Sequence, residues 1–155
     1  MVGLNEKKGL LKMKTLTQLS VFLENKVGQI ALVCKTLADA NVSLAALSIA
    51  ESPEFGIARL VVDDSVKAAE ALRSAKYIVK ATPVVAVVVP DRPGGMAQVV
   101  TTLSSKGCDI EYSYAFAAQA NDMAVLVFRF KDIEKAAAVL ADAGLATIDE
   151  NEIKA

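Results

Sequence analysis

Residues 90–95 read Pro-Asp-Arg-Pro-Gly-Gly, between the apolar run 84–89 and the amphipathic segment MAQVVTTL. An acid, a base, a proline and two glycines at a strand-to-helix junction are residue types that can hold a small anion. The first N–H groups of a helix have no partner within it, and the macrodipole adds positive character there. Glycine lets a ligand approach the backbone without a Cβ in the way, and Pro93 pre-sets φ for a first helical turn. The amides of Gly94, Gly95 and Met96 are therefore candidates for a carboxylate or phosphate. Asp91, three positions before the first of these glycines, and Asp109, where the next strand opens, are candidates for an ammonium group. Together they match the two charged ends of a free amino acid. The same residues also make a good turn that holds nothing.

The loop occurs twice. A shift of 66 residues lays Leu19, Val21 and Leu23 on Val85, Val87 and Val89, and Gly28 on Gly94. Beyond a hairpin two residues longer in the second copy, a shift of 68 lays Leu60 and Val62 on Phe128 and Phe130. The first-copy loop is ENKVGQ, and it supplies Asn25, Val27, Gly28, Gln29, Ile30 and the strand opener Ser43 as counterparts.

Elements that position these loops follow from periodicity. TQLSVFLE and VVAVVVP read as strands, the second buried on both faces. Ile30, Val33, Cys34 and Leu37 share a helix face by spacing, with Asn41 and Gly107 at the helix ends. Two strands joined by a short polar connection come next in each copy, with Ile110, Tyr112, Tyr114 and Phe116 expected on one face. A second, alanine-rich helix follows, capped by Asp64 or Ser65 and by Asp132. Last strands are expected near residues 77–80 and 147–153. The order β-α-β-β-α-β, twice over, is the ferredoxin-like α+β arrangement. Each unit is expected to hold a four-stranded antiparallel sheet with both helices on one face, the other face left to solvent, a partner or a ligand. The units are residues 14–81 and 82–155, with residues 1–13 a flexible extension and Met13 a second candidate start.

Composition narrows the function. The chain has 155 residues, a 54% hydrophobic fraction and a formal net charge of −1. No basic field suggests nucleic acid. Arg59 and Arg129 are expected to project from the sheet face away from the helices. There is no histidine, so the commonest general base and metal ligand is missing. Cys34 and Cys108 stand apart, outside any CxxC pair, and read as small core hydrophobes. Neither nucleotide-binding glycine pattern is present. The N-terminal MVGLNEKKGLLKMKT lacks an apolar stretch of signal-peptide length and the run 84–89 is too short to cross a bilayer, so a cytoplasmic protein with no membrane partner is expected. No base stands beside a nucleophile in a recognisable pattern, so no enzyme is expected, with no cofactor, no metal and no nucleic acid.

On SVFLENKVGQIALVCKTLADANVSL, FGIARLVVDD and VVVPDRPGGMAQVVTTLSSKGCDIEYSYAF, the chain resembles the ACT domain, a regulatory module of amino-acid metabolic enzymes. The resemblance covers nearly everything from about residue 15. PDRPGG fits the family's loop, whereas Val27 stands where proline is usual and argues against identical geometry in the first loop. Serine and aspartate stand at positions 43 and 109 where asparagine is frequent. The resemblance implies an amino acid bound between two domains by Asn25, Gly28, Gln29, Ile30 and Ser43, or by Asp91, Gly94, Gly95, Met96 and Asp109. It implies a stand-alone tandem regulator with an enzyme as a regulated partner, and exposed strand edges with the open sheet face predict a homodimer. The other reading is a ligand-free assembly module.

Overall fold

The computed structural model describes residues 14–117 and 122–153. The proposed extension, residues 1–13, lies outside them. The described residues divide into two compact units, one of residues 17–83 and 150–153, the other of residues 14–16 and 84–149.

In the first unit, β1 (Leu16–Glu24) leads through the ENKVG loop to α1 (Gln29–Asp39). Then come β2 (Leu44–Glu51), β3 (Phe55–Val62), α2 (Ser65–Ser74) and β4, which begins at Ile78. The strand order is β2-β3-β1, with β4 beside β1. β3 pairs antiparallel with both neighbours, Leu60 lying opposite Leu19 on one side and Leu47 on the other. Leu19, Val21 and Leu23 alternate onto the helix side of β1. There they pack with Val33 and Leu37 of α1, Ala58 and Leu60 of β3, and Ala68 and Leu72 of α2. Truncating one of these buried leucines to alanine removes about 2–5 kcal/mol.

The second unit repeats the plan. β4 (Ile78–Pro90) is a single strand of 13 residues, spanning what the sequence presents as the last strand of one copy and the first of the next. α3 (Gly95–Ser105), β5 (Ile110–Ala115), β6 (Met123–Phe130) and α4 (Ile133–Asp142) follow. Val85, Val87, Val99, Leu103, Ala136 and Leu140 form its core around Phe128 and Phe130, whose rings stack with centroids 5.7 Å apart.

Helix ends match the expectation. Asp64 and Asp132 accept from the Lys67 and Lys135 amides at 3.0 and 3.1 Å, N-capping α2 and α4. Asn41 and Gly107 take positive φ where α1 and α3 stop.

Three expectations are corrected. The last strand of the second unit is only β7 (Thr147–Ile148), which pairs with β4; it gives way to a helical turn, α5 (Glu150–Ile153). Glu150 there accepts from the Thr17 amide at 3.1 Å and the Ser65 hydroxyl at 3.5 Å, a contact an extended strand would not need. Cys34 is exposed while Cys108 is buried. The buried stripe of α1 is only Val33 and Leu37, and Cys34 lies one residue outside it. Ile110 does not share a face with Tyr112 and Tyr114. An irregularity between Ile110 and Tyr112 turns the strand over, so Ile110 meets Phe130 on the helix side and Tyr112 meets Arg129 on the other.

Candidate functional site

The two loops close in the same way. Gly28 has φ 92° and ψ −6°, and Gly94 has φ 86° and ψ −10°, both left-handed. This conformation is strained for any residue with a Cβ. The Lys26 amide donates to the Glu24 carbonyl at 2.8 Å, and its counterpart Arg92 to Pro90 at 3.0 Å. The Gln29 amide donates to Lys26 at 3.4 Å and the Gly95 amide to Arg92 at 3.0 Å. Val27 and Pro93 therefore support one geometry, contrary to the expectation from the missing proline. Glycine supplies the turn, and proline only pre-orders it. The Val27 side chain points fully into solvent.

These helix starts differ from those of α2 and α4. No side chain caps α1 or α3, and neither has an acidic residue in its first turn. The amides of Gln29 and Gly95 are spent on closing the turn. Among the described residues, no hydrogen bond takes up those of Ile30 and Ala31, or of Met96 and Ala97. The group best placed to meet an anion is thus one residue further into each helix than Gln29 and Gly95.

In the first unit the loop borders an open cleft of about 260 Å³. Its lining runs from Leu23 to Lys26 and from Gly28 to Ala31, then crosses to Ile49 and Glu51 of β2 and Gly56 of β3. The volume lies just under the ~300–1,000 Å³ of pockets for drug-sized ligands and suits a smaller molecule. Leu23, Ile30 and Ile49 make the apolar part. Glu24 and Lys26 are paired at 2.6 Å; the Lys26 ammonium holds the Glu24 carboxyl below its ordinary value, and Glu24 raises Lys26 in return. Asn25 does not cap the helix. Its Nδ2 donates to the Ser52 carbonyl at 3.2 Å, tying the loop to the β2–β3 hairpin. In the second unit a backbone bond does the same work, from the Asp91 amide to the Asp122 carbonyl at 2.8 Å.

Ser43 is not brought to this cleft. Its amide donates to Asp63 Oδ1 at 3.0 Å, and it accepts from the Asp63 amide at 3.1 Å. That is the end of β3 near Val62, whereas Glu24 lies opposite Phe55 at the other end. Eight residues of strand separate the two by about 23 Å. Asp109 is placed likewise, accepting from the Lys131 amide at 3.1 Å beyond the end of β6. Within a unit, then, the loop and the strand opener lie at opposite ends of the sheet. Glu51, Ile49 and Gly56 line the cleft and were missed by sequence reasoning. The available signal was Glu51 itself, a lone charge closing the otherwise uncharged strand LAALSIA.

With paired loops, paired cores and two βαββ frames in place, the chain can be compared with known proteins. Residues 14–155 match the ACT domain pair family. The chain is a member of that family. The crystal structure of protein BT0572 from Bacteroides thetaiotaomicron is 38% identical, covers 90% of this chain and 96% of its own, and superposes with a TM-score of 0.84. The ligand-free regulatory subunit of aspartate kinase from Thermus thermophilus is 18% identical over 85% of this chain and 93% of its own, with a TM-score of 0.60. Aspartate kinase from Synechocystis is 23% identical, covering 84% of this chain and 26% of its own, with a TM-score of 0.53. These last two share the ACT pair's fold. No curated protein matches the sequence. Among the described residues no helix is long and apolar enough to cross a membrane, and no cluster of His, Cys, Asp or Glu could hold a metal ion.

Proposed function

We propose that this ACT pair is a non-enzymatic regulator that binds a small free amino acid at its glycine loops. The observation that carries this is the contrast in helix starts. α2 and α4 are capped by aspartate, while α1 and α3 turn on a left-handed glycine and offer their next amides outward. In the first unit those amides border a cleft with apolar walls and an acidic rim. A carboxylate suits the amides, an ammonium group suits the rim, and a small side chain suits the walls.

A homodimer follows from the edge strand. β2 ends the strand order and exposes Leu44, Leu47 and Ile49. An apolar edge with a single terminal charge is a template for pairing. Antiparallel pairing of two β2 strands about Leu47 sets the partner's Ser43 across from Glu51. It would thereby bring together the loop and the strand opener that one unit keeps apart. Ligand held there favours one arrangement of subunits over another, and so changes the surface offered to a regulated enzyme. The likeness of the ACT pair to regulatory parts of aspartate kinases supports a regulatory role of this kind. The second reading, a ligand-free assembly module, rests on the same apolar edge.

A thermal-shift survey of the proteinogenic amino acids separates the two. Ligand at 100 times its dissociation constant adds about 2.7 kcal/mol to native stability. A shift confined to one or a few related amino acids supports the sensor; no shift with any of them leaves the assembly module.

A further inference from the structure

The two units differ where the ligand's ammonium group would sit. Of the charged side chains lining the first cleft, Glu24 and Lys26 neutralise each other at 2.6 Å. Glu51 is left as the one carboxylate there with no ion-pair partner among the described residues. The ladder registers identify its counterpart. Leu47 lies opposite Leu60 and Ser113 opposite Phe128, and Phe128 is the 68-residue match of Leu60, so the shift of 66 carries along β2 and β5 up to the hairpin turn. It places Ala117 at the position of Glu51, Ala115 at that of Ile49 and Pro90 at that of Glu24. The second loop is also drawn tighter. A Cβ on Gly95 would come within 2.0 Å of the Pro90 carbonyl oxygen, at the position where the first unit has Gln29.

Resting on the amino-acid reading above, we infer that Glu51 is the specificity-determining residue of the first cleft, the group that holds the ligand's ammonium. In the second loop the acid is placed differently, with Asp91 at the position of Asn25 and alanine at that of Glu51. A cation against an unpaired carboxylate forms a charge-assisted hydrogen bond, roughly twice as strong as a neutral one.

The test is calorimetry on the full chain with each free proteinogenic amino acid, and with the N-acetyl derivative of any that binds. Wild type, Glu51→Gln and Glu70→Gln are compared. Wild type is expected to bind the free amino acid at least about ten-fold more tightly than its N-acetyl form. Glu51→Gln should lose that preference while keeping the melting temperature of wild type, since Glu51 is exposed at a strand end. Glu70→Gln, on an exposed face of α2 outside the cleft, should retain it. Binding that is indifferent to Glu51→Gln, or to N-acetylation, overturns this inference and leaves the sensor reading standing. Absence of binding by every free amino acid overturns the sensor reading, and this inference with it.

Discussion

Gly28 and Gly94 adopt the same left-handed backbone, within 6° in φ, although valine precedes one and proline the other. Each loop then closes with the same pair of backbone hydrogen bonds. The ligand-facing geometry of this ACT pair therefore depends on glycine at those two positions. Gly28→Ala and Gly94→Ala are each expected to lose about 1–2 kcal/mol in urea denaturation, the cost of a left-handed residue with a Cβ. Equal stability to wild type would show that the loops relax to another conformation.

Gly95 is more constrained than either, for a different reason. Its φ is ordinary for a helix start, but a Cβ would run into the Pro90 carbonyl at 2.0 Å. Backbone cannot swing aside as a side chain can. Gly95→Ala is expected to reach the ~1–3 kcal/mol of overpacked sites or to exceed it. The Gln29→Ala change in the first unit is expected to be nearly silent in the same assay. A tolerated Gly95→Ala would mean that α3 can withdraw from β4 at little cost.

The capping contrast can be measured directly. Asp64→Ala and Asp132→Ala each remove a side-chain acceptor from a helix start and should cost about 1 kcal/mol. Asn25→Ala removes a bond to the hairpin and none to the helix, so α1 should keep its hydrogen-exchange protection while residues 52–55 lose theirs. Fraying of α1 in Asn25→Ala would contradict the assignment.

The two thiols should differ in kind. Cys34 is exposed on α1, whereas Cys108 is buried and burial pushes its thiol above the ordinary value. Titration with a thiol reagent at neutral pH is expected to give one fast thiol, lost in Cys34→Ser, and one that reacts only on unfolding. The thiolate is the nucleophile, so a buried thiol held protonated is doubly protected. Two fast thiols would show that the second unit opens readily at the end of α3.

The Glu24–Lys26 pair gives a pH signature. Glu24 is lowered by its bond to Lys26, so the contribution of this pair is present above the unfolded glutamate value and is lost as pH falls through the folded one. Both groups are exposed, so the effect on global stability is slight. The carboxyl carbon of Glu24, followed by NMR, should titrate below an ordinary glutamate and return toward it in Lys26→Met. A midpoint unchanged by that substitution would show that the pair does not persist in solution.

Much of this was legible in the sequence because it is written twice. Period-two and period-3.6 patterns at a constant offset located both cores, from Leu19 and Val85 through to Leu72 and Leu140, and the caps at Asp64 and Asp132. The loops were legible as glycine-bearing junctions. What escaped was set by single-residue events that periodicity does not record. An irregularity between Ile110 and Tyr112 turned Tyr112 and Tyr114 to the other face. The narrow buried stripe of α1 excluded Cys34. Glu150 found partners at Thr17 and Ser65, so a turn of helix stands where alternation suggested a strand. Glu51 was overlooked because it is distant in sequence from the loop it faces. Ser43 was grouped with that loop by family pattern, although the antiparallel register of β3 holds the two at opposite ends of the sheet.

The central claim, that the first glycine loop is a binding site, is tested most directly by following backbone amide resonances during amino-acid titration. The account predicts saturable shifts at Ile30, Ala31 and Glu51 with one or a few amino acids. Titrations that leave Ile30 and Ala31 unmoved at millimolar concentrations of every amino acid would contradict it.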